Sequence, residues 1–254
     1  MSSPPSSSAS ELAVRRRYLT VTLLFWLPLG LATAPLVLLF TARGLGLGAV
    51  AGLYAVHSLT TAALELPTGG LSDVIGRRPV LAAAGLLDLA AFTLIALADA
   101  YGVLLFGMAL MGAGRALASG PAEAWYVDTV RARSGPDADL RPGLARGSAT
   151  GSVALAAGTL LGGALPWLLS DLPHPVLPLA TPPLLAAVLE LLLIAYVSAA
   201  LSEPKRPPAA PRAVVRSVPA TVLAGLRLGR RDAVVRRVLL TAAATGAGLG
   251  TVEL

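Results

Sequence analysis

Five charged side chains lie within long apolar runs of this sequence, and their types could bind a proton or a polar molecule. These residues are Glu65, Asp88, Arg115, Glu123 and Glu190. A charged side chain at the centre of a bilayer costs about 2.5–3.5 kcal/mol on insertion scales, so together they would cost more than ~10 kcal/mol if they faced lipid. We therefore expect them to face a packed interior or a water-filled cavity, and we interpret them as candidates for binding protons or substrate.

Helical spacing places polar and aromatic neighbours beside these charges. At about 100° per residue, one stripe within about 80° of arc comprises Tyr54, Ser58, Thr61, Glu65 and Thr68. A second stripe comprises Met108, Met111, Arg115, Ser119 and Tyr126, with Glu123 beside it. In the first apolar run, Trp26 shares a face with Thr22 and Thr33. We predict that one cavity is lined by Trp26, Tyr54, Thr61, Met108 and Ser119.

The composition indicates a membrane protein and excludes several kinds of site. Of 254 residues, 55% are hydrophobic and 13% are charged, and the mean hydropathy is +0.73. With no cysteine and only two histidines, His57 and His174, we expect no disulfide, no metal site and no cofactor. An intramembrane serine protease needs a serine and a histidine at matched depth, and no serine here has a base in reach. We therefore predict that the chain is not an enzyme.

Six apolar runs are long enough to cross a bilayer, which takes about 20 residues. They are residues 19–42, 44–64, 79–98, 101 to about 126, 147–170 and 175–201. A seventh run begins at Val238 and continues to Leu254. The fifth run carries small residues, which let membrane helices approach closely: Ser148, Gly151, Ser152, Thr159, Gly162 and Gly163. This pattern predicts an all-α membrane protein.

The basic residues predict which side of the membrane each connection occupies. If the N-terminus is cytoplasmic, all but two of the 20 Lys and Arg residues fall on the inner side. The exceptions are Arg43, on the outer side, and Arg115, within a span. Because positive charge is retained inside, this predicts a multi-pass protein of the cell membrane with a cytoplasmic N-terminus. The arginines lie between apolar runs and form no soluble basic face, so we expect no nucleic acid as a partner.

The connection between the second and third runs, GGLSDVIGRRPV, has the pattern G-x-x-x-D-x-x-G-R-R. Its residues are Gly69, Asp73, Gly76, Arg77 and Arg78. Gly76 permits a tight left-handed turn, and Pro79 suits the first turn of the next helix. The pattern resembles the signature loop of the major facilitator superfamily of transporters. The order of six spans, a long basic inner segment and a seventh span is similar to the first half of such a protein.

The resemblance implies a six-helix N-terminal bundle of two inverted three-helix repeats. It implies that Asp73, Arg77 and Asp128 form a charge cluster, which holds the two halves of the transporter together when the outside is open. The segment GRALASG resembles the family's fourth-helix motif, which implies a role for Arg115 in proton coupling. Asp88 is its candidate partner, and Glu123 and Glu190 are candidate titrating groups.

The predicted organisation has four parts. Residues 1–17 form a disordered cytoplasmic tail, 18–202 the six-span half, 203–237 a cytoplasmic loop with an amphipathic helix, and 238–254 the beginning of span seven. The chain would then end within the seventh span, and on its own it should not transport.

The predicted function is alternating-access transport, with proton-coupled export of small lipophilic or cationic compounds. The expected partners are a small-molecule substrate, protons, the lipid bilayer and the C-terminal half of the same transporter. The alternatives are an uptake symporter or facilitator for a sugar or organic metabolite, and a nontransporting membrane scaffold or sensor.

Overall fold

Helices account for almost all of the chain that the structure, a computed structural model, describes. It describes residues 6–69, 71–170 and 177–202. The predictions for residues 203–237 and 238–254, including the amphipathic helix and the seventh span, lie outside these residues. No strand occurs within the described ranges, so this part of the protein is all-α.

Six helical stretches are long and apolar enough to cross a membrane, which confirms the count from hydropathy. Span 1 consists of α1 (Ser6–Thr33) and α2 (Leu36–Ala42), and span 2 is α3 (Leu47–Gly69). After the short α4 (Leu71–Ile75), span 3 is α5 (Arg77–Leu97). Span 4 consists of α6 (Tyr101–Ala118) and α7 (Pro121–Ser134). Span 5 is α8 (Arg141–Leu168), and span 6 is a 3-10 turn (Pro178–Ala180) with α9 (Thr181–Ala200).

Two of the spans are interrupted where glycine or proline stops the helix. Span 1 breaks at Pro35, whereas Pro28 lies within α1. Span 4, predicted as one continuous helix, breaks at Gly120, which has a left-handed conformation (φ 95°, ψ −24°). Pro121 then begins α7, because its missing N–H costs nothing at the first helical position. This break separates Arg115, on α6, from Glu123 and Asp128, on α7.

The predicted disordered tail is wrong for residues 6–17. Helix α1 begins at Ser6 and continues through the three consecutive arginines. Val14 and Tyr18 are buried, and the Tyr18 ring stacks on that of Tyr126 with 4.8 Å between centroids. Burial against span 4 stabilises a segment whose composition alone predicts disorder.

Side-chain contacts define two ends of the bundle. At one end, Arg77 pairs with Asp128, and the Trp125 indole donates to the Ser202 carbonyl over 3.2 Å. We call this the arginine-rich end, because the arginines near the starts of α1, α5 and α8 and in the last turn of α7 lie there. At the other end, the Arg43 end, the Arg43 side chain binds the last turn of α5.

Helices α1 and α8 approach so closely that their backbones touch. A Cβ atom at Gly158 would overlap the Leu27 carbonyl oxygen, and one at Gly162 would overlap that of Leu31. From the other side, a Cβ at Gly30 would overlap the Leu155 carbonyl oxygen. The predicted close approach at span 5 is therefore present. Gly163 does not take part, since nothing lies within 4 Å of its Cβ position.

Candidate functional site

A cavity of about 490 Å³ opens between α1, the α6–α7 break and α8. Ligand sites are typically about 300–1,000 Å³, so a small organic molecule would fit. Its wall includes four groups that hydrogen-bond or carry charge on α1, α6 and α7: Tyr18, Thr22, Arg115 and Glu123. Further hydroxyls come from Ser119, Ser148 and Ser152, and aromatic surface comes from Phe25 and Trp26.

The Arg115 guanidinium lies over the aromatic wall of this cavity. Its central carbon lies 4.6 Å from the Trp26 ring centroid and 5.9 Å from that of Phe25. Among the described residues, no carboxylate forms an ion pair with Arg115, so the predicted Asp88–Arg115 ion pair is not formed, although Asp88 and Glu65 lie near enough to interact electrostatically with the guanidinium. The physical reason is that Asp88 points at Gly114, where a Cβ would overlap its carboxylate, while Arg115 points toward α1.

Asp88 and Glu190 are buried carboxyl groups on adjacent helices. Asp88 is 3% exposed and Glu190 is 1% exposed. The Glu190 Oε2 atom lies 3.3 Å from the Cβ position of Gly85, one turn before Asp88 on α5. Within the described ranges, Asp88 Oδ1 and Glu190 Oε2 have no hydrogen-bond partner. Both candidates therefore lie in the packed interior and not in the cavity.

The other two predicted carboxylates lie where water reaches them. Glu123 has an exposed side chain and lines the cavity. Glu65, at the end of span 2, is also exposed and accepts a hydrogen bond from the Ser119 hydroxyl over 3.2 Å. Only Glu123 of this pair belongs to the cavity wall.

Of the predicted cavity-lining residues, Trp26 and Ser119 line the cavity, and Tyr54, Thr61 and Met108 do not. Met108 is fully buried and Tyr54 packs against the same apolar core. The Thr61 hydroxyl donates to the Gly112 carbonyl over 3.2 Å and so joins span 2 to span 4. Tyr54 and Thr61 were misassigned because their side of span 2 packs against other helices, and Met108 because its face of α6 lies in the apolar core.

The connection between spans 2 and 3 brings together the three residues of the predicted charge cluster. The Arg77 guanidinium lies 2.9 Å from Asp73 Oδ1 and 2.8 Å from Asp128 Oδ2. Its side chain is 9% exposed, whereas those of Asp73 and Asp128 are 66% and 52% exposed. Asp73 lies on α4 and Asp128 on α7, so one buried cation connects two segments.

Gly76 provides the turn that starts α5 at Arg77. It has φ 107° and ψ 153°, a conformation that a residue with a Cβ rarely adopts. The predicted positive φ is present, although this ψ is extended and not left-handed helical. Gly69 is the last residue of α3, and Arg78 has an exposed side chain on the first turn of α5.

A clamp at the opposite end of the bundle was not foreseen from the sequence. Arg43 donates to the Ile95 and Ala96 carbonyl oxygens and pairs with Asp99 over 3.1 Å. Burial lowers the pKa of Arg43, and the nearby Asp99 opposes this shift. The signal was available, since Arg43 was the one basic residue assigned to an outer connection.

Comparison with known proteins assigns no family: no protein-family model matches the chain, and no curated protein matches it. In the part of the chain that the structure describes, no three carboxylate or histidine side chains are grouped so as to hold a metal ion.

Proposed function

We propose that the six-span bundle is one half of a secondary transporter of the major facilitator type. In this proposal it moves a small amphipathic molecule by alternating access, coupled to protons, opposite a second six-helix half. It lies in the cell membrane with its N-terminus and its arginine-rich end in the cytoplasm. Export of small lipophilic or cationic compounds stays the prediction from the sequence.

The observation that carries the proposal is the bridge from Arg77 to Asp73 and Asp128. A buried guanidinium that joins α4 to α7 through half-exposed carboxylates is a contact that can break and re-form in water. Each of the two ion pairs joins the buried guanidinium to a carboxylate that water reaches, and hydration of the carboxylates offsets part of the loss when a pair breaks, so breaking it is within reach of a conformational equilibrium. The cluster therefore suits a gate better than a permanent structural core.

The cavity and the buried carboxyl groups support the other parts of the proposal. The cavity has the size of a small-molecule site and mixes aromatic surface, hydroxyl groups and charges of both signs. Asp88 and Glu190 lie in the apolar interior. A carboxylic acid carries no charge, so uptake of a proton by this pair removes most of the penalty of burial.

Cysteine accessibility tests the gate, and the absence of native cysteine makes each introduced thiol a unique reporter. Ser148→Cys places the reporter in the cavity wall. In membrane vesicles, a membrane-impermeant maleimide is applied from either side, and the ratio of the two labelling rates is measured. Loss of about 0.5–1 kcal/mol from the cluster should shift this ratio roughly two- to five-fold. Arg77→Gln should shift it toward labelling from the arginine-rich side.

Arg146→Gln is the matched control, because it removes one exposed arginine at the same end of the bundle. It should leave the labelling ratio of the Ser148→Cys reporter unchanged. A static scaffold would give equal ratios in the Arg77→Gln and Arg146→Gln backgrounds. Equal ratios would therefore contradict the proposed gate.

A further inference from the structure

The cavity wall carries one guanidinium and one carboxylate that do not pair with each other. Arg115 lies in the last turn of α6, and Glu123 lies in the first turn of α7, beyond the left-handed turn at Gly120. Both residues line the same cavity. Within the described ranges, neither forms an ion pair or a hydrogen bond with another side chain. The wall therefore presents one positive and one negative group, neither of them in an ion pair within the described ranges, to one occupant.

Arg115 lies over the Trp26 ring, and this contact limits the positions that its guanidinium can adopt. The N–H groups of a guanidinium form a planar fork, and the edge of this fork can bind a bidentate partner. A carboxylate matches this edge in geometry and charge. Because the ring contacts at 4.6 Å and 5.9 Å already hold the group, little side-chain entropy is lost on binding.

Singly charged molecules satisfy only half of this arrangement. A lipophilic cation could pair with Glu123, but it would leave Arg115 without a partner and would be repelled by it. An organic anion could pair with Arg115, but it would leave Glu123 without a partner and would be repelled by it. An occupied cavity excludes water, so a charge left unpaired there is unfavourable.

We propose that this cavity binds a small amphipathic zwitterion. Its anionic group pairs with Arg115, its ammonium group pairs with Glu123, and its apolar body lies against Phe25 and Trp26. Binding of the zwitterion does not depend on the proposed function. Its role as the transported substrate does. The proposed site refines the expected lipophilic or cationic compound into a molecule that also carries an anionic group.

Four probes that share an aromatic ring test the proposal with the full chain in lipid nanodiscs. They are phenethylamine, 3-phenylpropionate, L-phenylalanine and 4-(aminomethyl)benzoate, and their binding is measured by equilibrium dialysis. The two zwitterions differ in charge separation, so the pair tests a short and a long distance between the anionic group and the ammonium group. We expect the better zwitterion to bind about ten-fold or more tightly than either singly charged probe, as charge-assisted hydrogen bonds at both ends require.

Variants assign each end of the zwitterion to its side chain. Arg115→Gln should remove the preference for zwitterion over phenethylamine, and Glu123→Gln should remove the preference over 3-phenylpropionate. Arg115→Lys keeps the charge but not the planar fork, so it should keep part of the preference and also serve if Arg115→Gln misfolds. The charge-matched controls Arg146→Gln and Asp137→Asn, both exposed, should bind all probes like the unmodified chain.

Three results would overturn the zwitterion site. The first is phenethylamine binding as tightly as the better zwitterion, and the second is no saturable binding of either zwitterion. The third is an equal effect of Arg115→Gln on all four probes, which is the result if Arg115 instead interacts with the nearby Glu65 in a structural role. Binding needs no gate movement, so zwitterion binding with an unresponsive Ser148→Cys reporter would refute the transporter alone. A responsive reporter without zwitterion binding would refute the substrate class alone.

Discussion

At the scale of single residues, the carboxyl groups of this protein fall into two environments. Asp88 and Glu190 lie in the interior at 3% and 1% exposure, whereas Glu123 faces the cavity and Glu65 faces water. Proton uptake changes the energy of the buried pair most, because burial penalises the charged form of a carboxyl group far more than the neutral form. In the proposed transporter, we therefore expect the buried pair to carry the proton and Glu123 to contact the ligand.

This assignment predicts that the pH dependence of cavity accessibility requires Asp88 and Glu190. In the Ser148→Cys background, the ratio of labelling rates from the two sides should change with pH, and taking a ratio cancels the pH dependence of the thiol reaction. Asp88→Asn with Glu190→Gln should hold that ratio constant, because neither amide titrates. Glu123→Gln is the control and should keep the pH dependence. A pH-dependent ratio in the double variant would contradict the assignment.

We expect mutation of Arg43 to destabilise the protein more than mutation of Asp99, its partner in the ion pair. Its side chain is 5% exposed, whereas that of Asp99 is 82% exposed. Arg43→Ala leaves two carbonyl groups at the end of α5 without their charged donor. The free energy of unfolding should fall by up to about 1.5–3 kcal/mol for each lost hydrogen bond. Asp99→Asn should cost at most about 1 kcal/mol, because an exposed pair is screened by water. Thermal unfolding in detergent measures the stability of both variants. Equal melting temperatures for Arg43→Ala and Asp99→Asn would contradict the contact of Arg43 with the end of α5.

At the scale of helices, the contact between α1 and α8 depends on glycine at defined positions. Gly158→Ala places a methyl group on the Leu27 carbonyl oxygen, and separating the helices should cost about 1–3 kcal/mol. Gly163→Ala is the matched control on the same helix, where the Cβ position is open. It should stabilise the chain slightly, since alanine favours a helix by up to about 1 kcal/mol. Melting temperatures that do not differ would refute close backbone packing.

How far the sequence predicts these helices depends on the interaction that shapes each one. Hydropathy locates all six spans, because length and apolar composition decide whether a helix can cross a bilayer. The break at Gly120–Pro121 follows from local chemistry and was detectable, since a Gly-Pro pair interrupts helices. The helical start of α1 was not detectable, because the stacking of Tyr18 on Tyr126 that buries it is a tertiary contact.

In the candidate site too, features set by local sequence were predictable and features set by tertiary contacts were not. Arg115, Glu123 and the charge cluster were identified because ionisable groups stand out within apolar sequence or match a motif. Met108 was misassigned, since the face of α6 that it shares with Arg115 turns into the apolar core before reaching the cavity. Phe25 and Ser148 were missed as wall residues because only the packing of α1 against α8 brings them together.

At the scale of the whole molecule, the two ends of the bundle predict its orientation. The arginine-rich end should face the cytoplasm, because positively charged connections are retained there. A thiol at Asp137→Cys should be labelled by an impermeant maleimide only in inside-out vesicles. A thiol at Gly46→Cys, near the Arg43 end, should be labelled only from the outside of intact cells. The reverse pattern would contradict the cytoplasmic N-terminus.

The pairing of α1 with α8 also sets the order in which the protein is assembled. The glycines of α8 that contact α1 lie about 130 residues later in the chain than the residues near Leu27 that they contact. At synthesis rates of about 5–20 residues per second, the first helix waits on the order of ten seconds for the fifth. In a membrane, we expect the face of α1 around Gly30 to be covered by lipid or by an insertion factor during that interval. The helix made first therefore completes its packing late, and errors in span 5 should appear as retention of span 1 by the biogenesis machinery.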